Sequence, residues 1–214
     1  MSERQSRFRD AKDEVSLLRW VFGWHPIVSP VVVVVLFAGI GYYFRATNPA
    51  AMAGLVLAVP IWYQGARYIN RHAASIREGY EADVEEYGPV VLEAAGMDED
   101  ADQFILHKIP DDTQPFIEAP SQVDMTIVGV DDTGVWIYDE TTLDLMFLKA
   151  ALGTEPDNVI RFPWSNLESV DFEDGDLVVT PIEETDEIEI YRTPLGEEPQ
   201  ELLSTVKARI QSGH

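Results

Sequence analysis

The feature that most constrains the fold is a long uncharged apolar segment near the start of the chain. Residues 20–44 contain no Asp, Glu, Lys or Arg, and residues 31–37 read VVVVVLF. A helix rises about 1.5 Å per residue, so roughly 20 apolar residues cross the ~30 Å hydrocarbon core of a bilayer. Valine-rich runs also suit buried strands, but strands of this length are uncommon. The segment is therefore predicted to be a transmembrane helix, which satisfies its own backbone hydrogen bonds.

A second apolar segment, residues 46–66, follows after Arg45 and contains Pro60. Small residues recur every four positions along it and form a face that lets another helix approach closely. These helix-packing residues are Ala50, Gly54 and Ala58. The sequence predicts a two-helix transmembrane hairpin over residues 20–69, in which this face contacts the first helix near Ala38, Gly39 and Gly41. The alternative is a helical hairpin in the core of a soluble protein.

Basic residues near the two segments predict the orientation. Arg and Lys are frequent before the first segment and after the second, whereas Arg45 is alone between them. Positive charge favours the cytoplasmic side, so both termini, including residues 1–19, are expected there in a multi-pass protein of the plasma membrane. Aromatic residues expected at the inner boundary, as an interfacial belt, are Trp20, Trp24, Trp62, Tyr63 and Tyr68.

The charge of the chain is strongly uneven. Residues 1–80 hold nine Lys or Arg against five Asp or Glu, and residues 81–214 hold six against thirty-three, which gives the total of −23. Such an acidic region repels nucleic acid, so no nucleic-acid partner is expected. An acidic chain with only four lysines is typical of proteins that work in molar salt, where charge is screened. We therefore predict a halophilic protein of haloarchaeal type; intrinsic disorder is the competing interpretation of this composition.

The segment after the hairpin, residues 70–96, is predicted to be a helical stalk. Its apolar stripe comprises Ile69, Ala73, Ile76, Tyr80, Val84, Tyr87 and Val91, at helical spacing. Gly88-Pro89 is expected to break this helix, and a short second helix would stop at Gly96. The stripe either packs on the chain's own domain or pairs with a second copy. Residues 97–122 are acidic and proline-rich, and are predicted to be a linker with one short strand at 104–106.

Residues 123–214 are predicted to form a strand-rich domain that ends in a helix at 197–211. A hairpin turn is expected at Asp131-Asp132-Thr133 and a tight turn at residues 173–176, where Gly175 lies. Strands are predicted at 159–164, 167–173, 177–181 and 187–192, whereas residues 141–152 fit a strand or a helix. The overall prediction is an α+β fold, with a membrane hairpin and stalk followed by antiparallel strands.

The order of strands and final helix, together with FPWSNLESV at 162–170, resembles the pleckstrin-homology-like domains of prokaryotes. This resemblance covers about 90 of the 214 residues and implies an antiparallel β-barrel or sandwich closed by a C-terminal helix. It also implies an interaction or assembly role beside a membrane. The chain departs from the family in the long stretch between its first hairpin and Val159.

Motifs for catalysis and metal binding have simpler explanations. Asp132-Thr133-Gly134 matches the aspartic-protease triplet, but that chemistry needs two such aspartates, and Asp and Gly are expected at a turn. Alternating Asp98, Asp100 and Asp102 lack the glycine and glutamate of a calcium loop. The four histidines are scattered, and the chain has no cysteine. No catalytic, cofactor-binding or metal site is predicted, and the protein is expected not to be an enzyme.

The predicted function is a membrane-anchored interaction or scaffold module that binds a protein partner through the pleckstrin-homology-like domain. An exposed strand edge or helix groove would bind the partner. Candidate contact residues are Trp136, Phe147, Trp164 and Tyr191. The alternative is a homo-oligomeric membrane-structural component, assembled through the small-residue face of the hairpin and the stalk. The partners expected are the lipid bilayer, an unidentified protein and, in the alternative, further copies of the chain.

Overall fold

The computed structural model describes residues 6–108, 116–153, 155–182, 191–194 and 199–212, without the side chains of 191–194 and 212. It is a mixed helical and antiparallel-sheet protein. The helices are α1 (Arg7–Asp13), α2 (Leu17–Trp24), α3 (Val28–Tyr43), α4 (Thr47–Ala95) and α5 (Gln200–Ser212). The strands are β1 (Asp102–Lys108), β2 (Gln122–Val130), β3 (Gly134–Asp144), β4 (Lys149–Leu152), β5 (Ile160–Pro163), β6 (Leu167–Glu173), β7 (Asp176–Pro181) and β8 (Tyr191–Pro194). Two short 3-10 helices, Pro156–Asn158 and Trp164–Asn166, precede β5 and β6.

The chain forms two compact units that are interleaved along the sequence. The first unit comprises Met1–Tyr80, Asp111–Ser121 and Asp144–Lys149. The second unit comprises Glu81–Pro110, Gln122–Leu143 and Ala150–His214. The sequence instead predicts five consecutive segments, 1–19, 20–69, 70–96, 97–122 and 123–214. The prediction differs because two short stretches from later in the chain belong with the N-terminal helices.

The first apolar segment is broken, so the prediction of one continuous helix over 20–44 is wrong. Helix α2 ends at Trp24, α3 begins at Val28, and the two axes are bent by 110°. Pro26 explains the break, because it has no N–H to donate and moves His25 out of the helical region, to φ −114° and ψ 87°. The Ser29 hydroxyl donates to the Phe22 carbonyl at 2.8 Å and satisfies one acceptor freed at the break.

Helix α1 lies within residues 1–19, the N-terminal segment that the sequence predicts to be cytoplasmic. The Ser6 hydroxyl accepts a hydrogen bond from the Arg9 N–H at 3.2 Å and caps the helix. Phe8 is buried edge-on against Tyr80, with ring centroids 6.1 Å apart. The α1 backbone also passes close to Gly79, where an added Cβ would lie 2.9 Å from the Arg7 carbonyl oxygen. The short helix is therefore packed on α4 within the first unit.

Helix α4 is continuous from Thr47 to Ala95, so the predicted break at Gly88-Pro89 is wrong. Gly88 lies directly against Ile127 of β2, where an added Cβ would come within 2.6 Å of the Ile127 Cδ1 atom. This packing outweighs the local helix-breaking preference of the dipeptide. The predicted end of the helix is confirmed, because Gly96 has φ +107° and the Met97 N–H donates to the Leu92 carbonyl.

The acidic segment 97–122 is only partly a linker, because strand β1 lies within it and pairs antiparallel with β2. Phe104 and Leu106 of β1 pack against the core of the second unit. Residues 109–115 lie outside the described part of the chain. After them, Asn70 fixes the chain to α4, since its amide donates to the Phe116 carbonyl at 3.0 Å and its oxygen accepts from the Glu118 N–H at 3.1 Å.

The second unit contains two antiparallel sheets over one core. The larger sheet has the order β1-β2-β3-β4, and β5 also pairs with β3; the smaller sheet has the order β6-β7-β8. Helix α5 covers them through Leu202, Leu203 and Val206, which share a core with apolar residues of both sheets. This core includes Val128, Val130, Val135, Ile137, Phe162, Leu167, Val170, Leu177 and Val179.

The predicted turns agree with the structure. Strand β2 ends at Val130 and β3 begins at Gly134, and the turn from β6 to β7 contains Asp174 and Gly175 with φ +53° and +93°. The ambiguous stretch 141–152 is strand at both ends with a turn between. Of the strand predicted at 187–192, residues 187–190 lie outside the described part. The final helix begins at Gln200 rather than at residue 197. Residues 195–198 also lie outside the described part of the structure.

Candidate functional site

Exposed apolar side chains are concentrated in the helices of the first unit. Among the described residues, 26 large hydrophobic side chains are exposed, and 20 of them lie between positions 17 and 63. Helix α4 is long and apolar enough to cross a bilayer, whereas α2 and α3 meet that criterion only together, across their 110° bend. An apolar surface of this extent is unusual for a water-exposed face and indicates an interaction surface.

The small-residue face of α4 lies against α3 of the same chain. An added Cβ on Gly54 would lie 2.9 Å from Phe37 Cβ and 3.1 Å from Val34 Cα. Ala50 lies against Gly41, and Ala58 is 1% exposed. Gly39, which the sequence places at this contact, has no atom within 4 Å of its Cβ position. The face made by Ala50, Gly54 and Ala58 is thus occupied within the chain.

A second close helix contact, which sequence reasoning missed, joins α2 to α4. A Cβ on Gly65 would lie 2.7 Å from the Gly23 nitrogen, and one on Gly23 would lie 2.6 Å from the Gly65 carbonyl oxygen. The Trp62 indole N–H donates to the Gly23 carbonyl at 3.0 Å and fixes the same crossing. Neither Gly23 nor Gly65 is part of a run of small residues at four-residue spacing, so no repeat in the sequence indicates this contact.

Two of the predicted interfacial tryptophans are inside the protein. Trp20 and Trp24 are 0% and 1% exposed. The Trp20 indole N–H donates to the Leu145 carbonyl at 2.7 Å, within the first unit. The assignment of these two residues to a lipid-facing belt is therefore wrong, because the bend after Trp24 turns α2 onto the protein. Tyr63 remains 48% exposed.

Asp131 organises the turn between β2 and β3. Its Oδ1 atom accepts hydrogen bonds from the Thr133 N–H at 2.7 Å, the Thr133 hydroxyl at 2.7 Å and the Gly134 N–H at 2.9 Å. Its Oδ2 atom accepts from the Trp136 indole at 2.9 Å and the Asp98 N–H at 3.2 Å. Burial raises the pKa of Asp131, but the hydrogen bonds from Thr133, Asp98 and Gly134 outweigh it and leave the pKa below its ordinary value.

Two of the four predicted contact residues donate hydrogen bonds to Asp131 of this turn. Trp136 and Trp164 are 4% and 6% exposed, and the Trp164 indole N–H donates to the Asp131 carbonyl at 2.9 Å. The Arg161 guanidinium stacks over the Trp136 ring, 4.8 Å from its centroid. Both tryptophans therefore stabilise the domain and do not offer a surface to a partner. Sequence reasoning could not separate these roles, because an indole serves either one.

The other two predicted contact residues differ in position. Phe147 is 59% exposed in the turn after β3, its N–H donates to the Asp144 carboxylate at 2.9 Å, and the Lys149 ammonium lies 5.8 Å from its ring. It belongs to the first unit, whereas the prediction assigned it to the strand-rich domain. Tyr191 lies in β8 opposite Val179, and its side chain is outside the described part of the structure.

Strand β1 offers the clearest candidate site in the second unit. Among the described residues it pairs only with β2, so its other edge carries backbone groups without a strand partner. A cleft of about 330 Å³ lies between β1 and the first turn of α5, and another of about 470 Å³ lies between β1 and residues Val84, Glu85 and Pro89 of α4. An extended segment added to β1 would therefore meet an open cleft on each face of the strand.

The protease-like triplet occupies an ordinary turn. The Asp132 side chain is 81% exposed and pairs with Arg209 of α5 at 2.5 Å, while Asp131 is fully used in hydrogen bonds to the turn. Within the described residues, no group of three or more His, Asp or Glu side chains is arranged to hold a metal ion.

Comparison with known proteins does not assign a family. No protein-family model matches this chain, and no curated protein matches it either. The apolar surface of the first unit and the β1 edge of the second are therefore the features from which function is inferred.

Proposed function

We propose that this protein is a membrane-anchored interaction module whose strand-rich unit binds a protein partner. The observation that carries the proposal is the concentration of exposed apolar residues between positions 17 and 63, in a chain that is otherwise acidic. At about 1.5 Å per residue, the 16-residue α3 is about 24 Å long, about 6 Å shorter than the ~30 Å hydrocarbon core, so it would cross only with local thinning of the bilayer or with flanking residues. Helix α2, bent away by 110°, would lie along the membrane surface.

The proposed topology places both termini in the cytoplasm of the plasma membrane. The connection between α3 and α4 carries only Arg45, whereas Arg19 precedes α3, and Arg67 and Arg71 follow the apolar part of α4. This asymmetry supports a short external loop. The acidic second unit would then work in the cytoplasm of a salt-accumulating cell, where screening weakens its self-repulsion.

The pleckstrin-homology-like assignment remains part of the proposal. It is supported by one core shared between a larger sheet, a three-stranded sheet and a C-terminal helix. The motif at 162–170 runs through β5, a short 3-10 helix and the start of β6, at the passage from one sheet to the other. The first strand of this arrangement would be β1, from the segment that the sequence predicts as linker.

The binding mode that we propose is strand addition at β1. The free edge supplies backbone hydrogen bonds, and the two clefts beside it would receive alternate side chains of the added segment. Glu85 and Glu201 line these clefts, so a segment with neutral or basic side chains fits better than an acidic one. We propose no catalytic activity.

The alternative, self-assembly through the hairpin and stalk, has less support. The stalk stripe is buried within the chain: Ile69, Ile76 and Val84 are each 0% exposed, and Ala73 is 4% exposed. The small-residue face of α4 is covered by α3. Neither surface is available to a second copy without unpacking the first.

A crosslinking experiment tests the binding mode. A photoreactive amino acid is placed at Gln103 or Ile105 in the full-length protein, and at Ser204 on the exposed face of α5 as a control. We expect adducts of one defined mass from the β1 positions and none from Ser204, with slower hydrogen exchange of the β1 amides in the complex than in the purified chain. Equal crosslinking at all three positions, or unchanged exchange in β1, would contradict strand addition.

A further inference from the structure

A cleft of about 730 Å³ opens where α2 turns away from α3 beside α4. This volume lies within the range of small-molecule sites. Phe22 of α2, Leu36 and Phe37 of α3, and Ile61 of α4 form apolar walls. Leu36 and Ile61 are 58% and 40% exposed, so the walls are open to a ligand.

The rim of the cleft is cationic. Arg19 of α2 and Arg67 and Arg71 of α4 line it, and all three are exposed. Arg67 and Arg71 are four residues apart and so project from one face of the helix. The Arg19 guanidinium lies 5.6 Å from the Tyr68 ring centroid, and the Tyr68 hydroxyl accepts a hydrogen bond from the Ser16 N–H at 2.8 Å, which fixes this side of the rim.

These arginines have no carboxylate partner in the described part of the chain. No Asp or Glu occurs from Val15 to Arg77, although the whole chain holds 38 of them. A rim of three exposed guanidinium groups over an apolar wall therefore has no counter-ion supplied by the surrounding helices. Guanidinium groups bind phosphate oxygens in a bidentate geometry, which matches a phosphate at this position.

We propose that this cleft binds one anionic phospholipid. Its headgroup phosphate would pair with Arg67, Arg71 and Arg19, and an acyl chain would lie along Phe22 and Leu36. The inference rests on the membrane anchoring proposed above, which brings the rim to the level of the inner headgroups. It adds a specific, charge-selective site to what would otherwise be general contact between the helices and the bilayer.

The test uses the full-length protein, the double variant Arg67→Gln/Arg71→Gln and the control variant Arg45→Gln, which changes an arginine outside the cleft. Each is first floated with vesicles of phosphatidylcholine containing phosphatidylglycerol, and bound lipids are then counted by native mass spectrometry. We expect one retained phosphatidylglycerol for the wild type and for Arg45→Gln. We expect about 30-fold weaker retention for the double variant, because each arginine near an anionic surface contributes about 1 kcal/mol and 1.4 kcal/mol is a factor of ten.

The possible failures are distinguishable. A protein that does not float with the vesicles contradicts the anchoring proposal, and this inference with it. A protein that floats but retains phosphatidylcholine equally well, or whose double variant retains phosphatidylglycerol like the wild type, contradicts the lipid site alone. Soluble glycerol phosphate is added as a competitor; displacement of the lipid at equal concentration would show a plain anion site and overturn the role of the apolar wall.

Discussion

Replacing Asp131, which is buried in the turn between β2 and β3, with alanine should destabilise the second unit. The carboxylate accepts five hydrogen bonds, from Thr133, Gly134, Trp136 and Asp98. Alanine removes the acceptor but leaves all of these donors in place. The partly exposed donors of Thr133 and Asp98 can form hydrogen bonds with water instead, whereas the Gly134 N–H and the Trp136 indole N–H are buried.

The magnitude follows from these two buried donors. A buried polar group without a partner costs about 1–3 kcal/mol, so Asp131→Ala should lower the free energy of unfolding by about 2–6 kcal/mol. Asp131→Asn keeps one acceptor oxygen but places an NH₂ group opposite the Trp136 and Asp98 donors, and should lose about 1–3 kcal/mol. The matched control is Asp132→Ala, since its exposed ion pair with Arg209 is worth about 0–1 kcal/mol.

Hydrogen exchange of the full-length protein in detergent micelles measures this effect locally. The opening free energies of amides in β2 and β3 should fall in the order Asp132→Ala, Asp131→Asn, Asp131→Ala, with the last the least stable. If Asp131→Ala stays within about 0.5 kcal/mol of Asp132→Ala, the turn does not depend on the carboxylate and the reasoning is refuted.

Three further predictions concern the pH dependence of the Asp131 turn, the crossing of α2 and α4, and the Tyr138 hydroxyl. The stability difference between wild type and Asp131→Ala should be present above pH ~4 and shrink as pH falls through the lowered pKa of Asp131, as measured by the same exchange experiment. Gly65→Ala should lower the thermal unfolding midpoint, because its Cβ would meet the Gly23 backbone, whereas Gly39→Ala in α3 should leave it unchanged or slightly raised. Tyr138→Phe should raise stability by about 1 kcal/mol in chemical unfolding at neutral pH, since the buried hydroxyl has no partner among the described residues. Burial and the nearby acidic residues raise the pKa of Tyr138 to about 12, so only the wild type should lose further stability above pH ~10.

Features fixed by neighbouring residues could be predicted from the sequence. The turn at residues 131–133 and the left-handed residues Asp174 and Gly175 follow from turn chemistry. The end of α4 at Gly96 and the apolar face of α5 follow from capping and periodicity. In each case a few adjacent side chains determine the local backbone, whatever the rest of the molecule does.

Features fixed by distant contacts could not be predicted. The helix continues through Gly88-Pro89 because Gly88 packs on Ile127, about forty positions away in the sequence. The sequence predicts only a short strand at 104–106 within a linker, whereas β1 extends from Asp102 to Lys108 through its pairing with β2. The break at His25-Pro26 is different, because a local residue, Pro26, marks it in the sequence. The length of the apolar segment nevertheless favours the prediction of one continuous helix.

The sequence predicts an exposed strand edge or a helix groove as the partner-binding site, and this binding stays a prediction. Trp136 and Trp164 are buried beside Asp131, and β1 is one of the edge strands that have a single strand partner among the described residues. Aromatic residues are common both in cores and at interfaces, and a single sequence does not distinguish these environments. The arginine-rimmed cleft depends on the bend between α2 and α3, which no periodicity in the sequence indicates.

The central claim, that the apolar helices anchor the chain with both termini on one side of a membrane, is tested most directly by labelling single cysteines. The natural chain has none, so Asn48→Cys beside the α3–α4 connection and Ser204→Cys on α5 give unambiguous sites. With an impermeant maleimide, we predict labelling of Asn48→Cys in intact cells and of Ser204→Cys only after permeabilisation. Labelling of both positions in intact cells, or recovery of the protein in the soluble fraction, would contradict the proposed anchoring.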